Sequence, residues 1–393
     1  MLNTPFSPWP SYTNEEADAI KNVLLSNKVN YWTGNECRLF EKEFAAWVQC
    51  DYAVSLSNGT LALDVALKAL NIGAGDEVIT TPRTFLASAS SIVTAGATPV
   101  FADVNLNSQA ITAESIAEVL TTKTKAVIVV HLAGMPAEMD AIMALSEKHG
   151  FYVIEDCAQA HGAKYKGRSV GTIGHIGAWS FCQDKIMTTG GEGGMVTTND
   201  KTLWSTMWSY KDHGKSYDAV YNHAHPAGFR WLHESFGTNW RMTEIQAVLG
   251  RIQLKRMDKW TKQRQENCQS IDNAIKDLAI ARCVIVPDYI THASYKHYVF
   301  INPEHLKAGW SRDRIVETIV SEGVPAYQGS CSEIYLEKAF DNTPWRPSTR
   351  LPNAVQLGET SLMFLVHPTL TSDEINKTVD VIRKTLIAAS KDD

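Results

Sequence analysis

The 393 residues carry a formal net charge of -6, with 44% hydrophobic and 20% charged side chains, a globular composition that excludes collagen-like and disordered classes. At roughly 100–200 residues per domain, the length points to two domains and to a core that needs no staples. The two charge signs are mixed, which excludes the basic face that nucleic acid binding requires, and no run approaches the ~20 apolar residues of a membrane span.

Seven cysteines lie at wide spacing with no CxxC pair, which reads as reduced thiols rather than a disulfide framework. The N-terminus shows no basic segment followed by an apolar one, so no signal peptide is read there. A cytoplasmic protein is the expectation.

In chain order, Thr13-Asn14-Glu15-Glu16 opens an amphipathic helix, with Thr13 or Ser11 as N-cap. A second helix is expected over 36–47. From residue 53 the rhythm becomes strand, helix, strand: a strand at 53–56, a helix to Leu70, a strand at 77–80, a helix at 85–95 and a strand at 99–102. Ala126-Val127-Ile128-Val129-Val130 is a buried strand, followed by a helix at 137–149 and a strand at 152–155. Short β-branched runs alternating with helices indicate a mostly parallel sheet covered on both faces. One helical pattern dominates from Arg241 to Lys262, after which the rhythm is mixed. A strand is expected at 299–302, with helices at 312–322 and 373–389. The division expected is 1–260 for the N-terminal segment and large domain, and 261–393 for the small C-terminal domain.

Four separated segments carry chemistry. Ser57-Asn58-Gly59-Thr60 stands at a strand-to-helix turn, where exposed amides and the helix N-terminus attract an anion; a plain helix cap is the simpler reading. Glu155-Asp156-Cys157-Ala158-Gln159 follows an apolar strand, at the sheet edge where ligands gather in open α/β folds; Asp156 as a helix cap is the competing reading. Lys185 sits between the aromatic-flanked Ser180 and the loop Gly190-Gly191-Glu192-Gly193-Gly194. A nucleophilic lysine needs such partial desolvation, whereas a surface cation does not. The fourth is Asn239-Trp240-Arg241-Met242-Thr243, with Thr243 as a possible N-cap. Arg83, Arg230 and Arg241 are candidate carboxylate clamps, because guanidinium offers a planar fork; His131 and His161 could border the site. His223, His225 and His233 lack a metal-binding pattern and read as loop packing.

Together with Tyr31-Trp32-Thr33-Gly34, Gly75-Asp76-Glu77-Val78-Ile79 and Gly96-Ala97-Thr98-Pro99-Val100, these segments resemble the DegT/DnrJ/EryC1/StrS family of sugar aminotransferases dependent on pyridoxal 5'-phosphate. The resemblance implies an α/β, aspartate aminotransferase-like fold of type I: a mostly parallel seven-stranded sheet with helices on both faces and a smaller α+β C-terminal domain. It implies that Lys185 forms the Schiff base and shuttles the proton, that Asp156 holds the ring nitrogen protonated, and that Gln159 meets the ring hydroxyl. Gly59, Thr60 and Ser180 would hold the phosphate, Phe85 would stack on the ring, and Asn239 would reach the phosphate in a second subunit of a homodimer. The lysine loop is one residue longer than the usual family pattern. The implied reaction moves an amino group from L-glutamate to a carbonyl sugar of lipopolysaccharide synthesis. The narrowest reading is the 8-oxo form of 3,8-dideoxy-manno-octulosonate; the alternative is a nucleotide-linked 3-keto or 4-keto deoxyhexose. Dehydratases of the same family carry histidine in place of the lysine, so Lys185 argues against dehydration. A dehydrogenase lacks support because no GxGxxG follows a strand.

Overall fold

The computed structural model describes residues 2, 4–225 and 227–391. Its centre is a seven-stranded sheet in the order Tyr52–Leu56, Gly194–Thr198, Ile176–Ser180, Tyr152–Asp156, Thr124–Val130, Glu77–Thr80, Thr98–Phe101. Gly194–Thr198 runs antiparallel to both neighbours, and the other pairs are parallel. Strand residues alternate between two cores. Ala126, Ile128 and Val130 join one apolar cluster, with Phe40, Phe44 and Leu63, while Val127 and Val129 join the other, with Ile116, Met139 and Ile142. This period of two, with both faces apolar, is why the strand reads as one hydrophobic run and why helices must cover both sides.

A second sheet, four-stranded and antiparallel, has the order Ala281–Cys283, His297–Ile301, Ser361–Phe364, Ala326–Tyr327. Helices Met257–Ile275, Arg312–Ser321 and Ser372–Ala389 enclose a third core against it. The chain's start lies on this unit. Phe6 packs into its core, Lys377 Nζ donates to the Leu2 carbonyl at 2.7 Å, and Trp9 meets Trp260 edge-on at 5.1 Å.

Local chemistry sets the helix ends. Thr13 and Glu16 form a reciprocal capping box at Asn14–Leu25, so Thr13 and not Ser11 is the cap. The single helical pattern expected over 241–262 is two helices, Glu244–Leu254 and Met257–Ile275. Thr243 is extended and boxed with Gln246, which starts the first of them at Glu244, three residues after Arg241. The turn between them presents Arg256 to Glu15 at 2.6 Å and to Glu16 at 3.1 Å. The helix expected from 85 begins at Ala87, which leaves Phe85 outside it.

Candidate active site

The carboxyl ends of Tyr152–Asp156 and Ile176–Ser180 open into a cavity of about 1130 Å³. Asp156 ends the first of these strands and is nearly buried. Ser88 Oγ donates to its Oδ2 at 2.8 Å and the Ala158 amide to its Oδ1 at 3.1 Å. Burial pushes its pKa up, against the opposing pull of Ser88, the Ala158 amide, Lys185 and His131. A turn follows rather than a helix, so the helix-cap reading of Asp156 falls. Gln159 lines the cavity; its Oε1 accepts from the Ala133 amide at 2.8 Å, which leaves the NH₂ end available.

Helix Gly59–Ala69 starts at the cavity wall. Asn58 caps it by accepting from the Leu61 amide at 3.0 Å, so the cap leaves the amides of Gly59 and Thr60 unclaimed. Glycine at 59 is forced by contact: a Cβ there would stand 2.5 Å from Ser180 Cβ and 2.9 Å from Ser180 Oγ. Two backbone donors, a helix N-terminus and a hydroxyl therefore converge in a cradle that a side chain would fill.

Lys185 is half-buried, with Nζ 5.2 Å from the centre of the Tyr295 ring and its carbonyl held by Trp9 Nε1 at 2.8 Å. The loop behind it turns through Gly190 and Gly191, at φ +85° and +119°, which only glycine adopts freely. Tyr295 donates to Asp184, whose carboxyl lies below its usual pKa because Lys185, the Tyr295 hydroxyl and Lys296 outweigh burial. Phe85 lines the cavity and is 71% exposed.

Five expected residues lie elsewhere. Arg83 is fully buried, donating to Gln109 Oε1 at 3.0 Å, Ser330 O at 3.4 Å and Ser361 Oγ at 3.2 Å, so it is an internal brace rather than a free clamp. Arg241 is bound to Asp212 at 2.6 Å, outside the cavity lining. His131 is fully buried and tied to Glu155 at 2.9 Å; it does not reach the cavity. Glu155 also accepts from the amides of Gly171, Ile173 and Gly174, which makes it a hub for the loop before Ile176–Ser180. Arg230 and Asn239 are exposed and outside the lining. His161, also considered, is buried against Trp179 and Phe181, and burial pushes its pKa down to about 3. Residues that sequence reading missed are Ser88, Asp184, Tyr295 and Lys296, the last two contributed by the C-terminal part of the chain.

The family model for DegT/DnrJ/EryC1/StrS aminotransferases matches residues 10–383. The chain belongs to that family. This aminotransferase is 65% identical to the crystallised aminotransferase from Psychrobacter cryohalolentis, covering 98% of this chain and 100% of that one with a TM-score of 0.96. It is 28% identical to S. venezuelae DesV, solved in complex with a ketimine intermediate, over 98% and 99% of the two chains with a TM-score of 0.86. It is 35% identical, over 92% of each chain, to the UDP-N-acetyl-3-dehydro-alpha-D-glucosamine 3-aminotransferase of Acidithiobacillus ferrooxidans. The expected type I fold is thereby established, and the enzyme is a transaminase.

Proposed function

We propose that the aminotransferase binds pyridoxal 5'-phosphate on Lys185 and moves an amino group from L-glutamate to a carbonyl sugar. The observation that carries this is the convergence of a half-buried lysine, a buried carboxylate and an open helix N-terminus on one cavity. Gly59, Thr60 and Ser180 would take the phosphate, Asp156 the ring nitrogen, Gln159 the ring hydroxyl and Phe85 the ring face. Bound there, the cofactor supplies an aldehyde for the amino group and a ring that takes up the electron pair left when a C–H bond breaks. Asp156 holds a proton on that ring by staying ionised against it. Lys185 Nζ would serve as the base for the substrate's α-proton and as the acid that returns it on the far side of the nitrogen, a 1,3-proton shift. Two such half-reactions in one site give ping-pong kinetics. Borohydride treatment of the yellow holoenzyme followed by peptide mapping should label Lys185; a label elsewhere, or none, would refute the assignment.

For the sugar, we favour the acidic 8-oxo octulosonate of lipopolysaccharide synthesis. A nucleotide-linked 3-keto or 4-keto deoxyhexose is the second reading, favoured by the name of the A. ferrooxidans relative. An amination screen of both classes decides between them, and turnover of a nucleotide sugar alone removes the octulosonate. We also propose a homodimer in which Asn239 reaches the phosphate in the partner's site. Its support is the exposed aromatic loop of Phe229, Trp231 and Phe236, which are 77%, 87% and 100% exposed. Residues 1–260 would carry the cofactor site and 261–393 the small domain that closes it with Tyr295 and Lys296. Free thiols at all seven cysteines suit a cytoplasmic enzyme. Among the described residues, no helix is long and apolar enough to cross a membrane.

A further inference from the structure

The cavity's charges are unbalanced. Asp156, Asp184, Glu192 and Glu337 line it, and among the described residues no arginine does. Its lining cations are Lys185, which the cofactor consumes, and Lys296. Lys296 is half-buried with Nζ 4.8 Å from the centre of the Tyr295 ring, the ring that Lys185 also faces. No carboxylate pairs with it among the described residues, and Asp184 acts on it only at longer range. The candidate arginine clamps are spent or remote, as shown above.

We propose that Lys296 binds the carboxylate of the substrate, and so sets the preference of this site for acidic amino donors and acceptors. This deepens the aminotransferase reading and rests on it. A half-buried ammonium beside the reacting lysine, with no carboxylate partner among the described residues, is free to take a ligand carboxylate through charge-assisted hydrogen bonds. The tyrosine ring gives the ammonium a weak resting place when no carboxylate is present.

The groups acting on Lys296 are Asp184 and Lys185 on the lysine loop and Arg264 on the long helix, and its own charge acts in turn on His367. Burial pulls its pKa down to about 8, with Arg264 and Lys185 adding to this and Asp184 opposing. A carboxylate held by Lys296 should therefore bind less well as the pH rises through that region.

The test uses the holoenzyme and its Lys296→Met and Lys296→Arg variants. Glutamate is followed by single-turnover loss of the cofactor's visible absorbance, the sugar acid by the reverse half-reaction, and unreactive glutarate by equilibrium titration. Lys296→Met should raise half-saturation for at least one carboxylate by roughly tenfold or more, with Lys296→Arg within about threefold of wild type. A change with glutamate alone assigns the donor carboxylate, a change with the sugar acid alone assigns the acceptor, and a change in both assigns one shared anchor. All three half-saturations unchanged in Lys296→Met, with borohydride labelling intact, would overturn the inference. Should that variant fail to fold, Lys296→Gln takes its place, and half-saturations unchanged in it overturn the inference equally. If the wild type does not react with any amino donor, the aminotransferase reading fails instead, and the glutarate titration still reports on Lys296.

Discussion

Substituting Gly59 by alanine tests whether the helix N-terminus and the lysine strand are held in contact for the cofactor's sake. Helix propensity alone predicts a small gain, since alanine is better than glycine in a helix by roughly 0.5–1 kcal/mol. The geometry predicts a loss. The new Cβ would lie 2.5 Å from Ser180 Cβ and 3.0 Å from Ser180 Cα. Carbon atoms rest at about 3.5–4.0 Å, so the overlap is about 1 Å. Neither element can yield freely, because Ser180 ends a central strand and Gly59 begins a helix packed on it. Overpacking of this kind costs about 1–3 kcal/mol. The movement that relieves it carries the Gly59 and Thr60 amides away from Ser180 Oγ. Cofactor affinity should therefore fall by roughly 5- to 150-fold, measured by titrating apoenzyme with pyridoxal 5'-phosphate. Adding Ser180→Gly removes the two nearest atoms, Cβ and Oγ, and leaves only Cα at 3.0 Å, so the double variant should recover part of its melting temperature but not its affinity. Gly73→Ala, whose Cβ meets only Ala95 O at 3.6 Å, should change neither. Affinity of Gly59→Ala within twofold of wild type would refute the cradle.

Glu155→Ala should destabilise the apoenzyme by about 3–5 kcal/mol, because it strips four buried donors of their acceptor; chemical denaturation measures this. Burial acts to raise the Glu155 pKa, but His131 and the amides of Gly174 and Gly171 hold it below the usual value of 4.5. Its stabilisation is therefore present above pH 4.5 and is lost as the pH falls through the folded value, so acid unfolding of wild type should lose this component and the variant should lack it. His297, 2.9 Å from Asp272, works with the opposite sign. Burial lowers its pKa, but Cys268 and Asp272 more than reverse this and raise it to about 10. Its contribution is full below pH 6.5 and fades as the pH approaches 10, so His297→Gln should flatten the fall in melting temperature across that window. Arg83→Met should lower the melting temperature while leaving half-saturation for glutamate unchanged, since the guanidinium braces Gln109, Ser330 and Ser361 and does not line the cavity. A selective rise in half-saturation would restore Arg83 as a clamp.

Much of the large domain was legible because its information is local. Within Thr124–Val130 the run Ala126-Val127-Ile128-Val129-Val130 announces itself as apolar and mostly β-branched, and alternation between two cores explains why no polar residue interrupts it after Lys125. Asp156, Gln159, Ser180 and Lys185 were findable because each sits at a strand end or beside it, where sequence neighbours declare the context. The break between Leu254 and Met257 was not legible, because the apolar period carries on across it and the contacts of Arg256 come from residues near the N-terminus. Tyr295 was missed for the same reason: its bond to Asp184 spans 111 positions. Ser88 looks like any small residue in a helix, and only the fold shows its hydroxyl on Asp156.

The three candidate arginines could not be ranked as clamps from sequence, because a guanidinium's geometry says what it can hold and not where it stands. Arg83 is bonded to groups 26, 247 and 278 positions away, and folding consumes its fork on the protein itself. There is also a physical reason for a lysine in that role. An arginine beside Lys185 would keep its charge at every working pH, and the reacting amine must become neutral next to it. Lys296 carries a charge that burial has already weakened. A second cation, Arg264, stands one layer back, buried, donating to the Tyr295 carbonyl at 3.3 Å and lying 4.9 Å from the Trp9 ring. From there its field keeps Lys296 easy to deprotonate without occupying the cavity. A cation that can be released suits a site that must hold an acid through one half-reaction and let a different one in for the next.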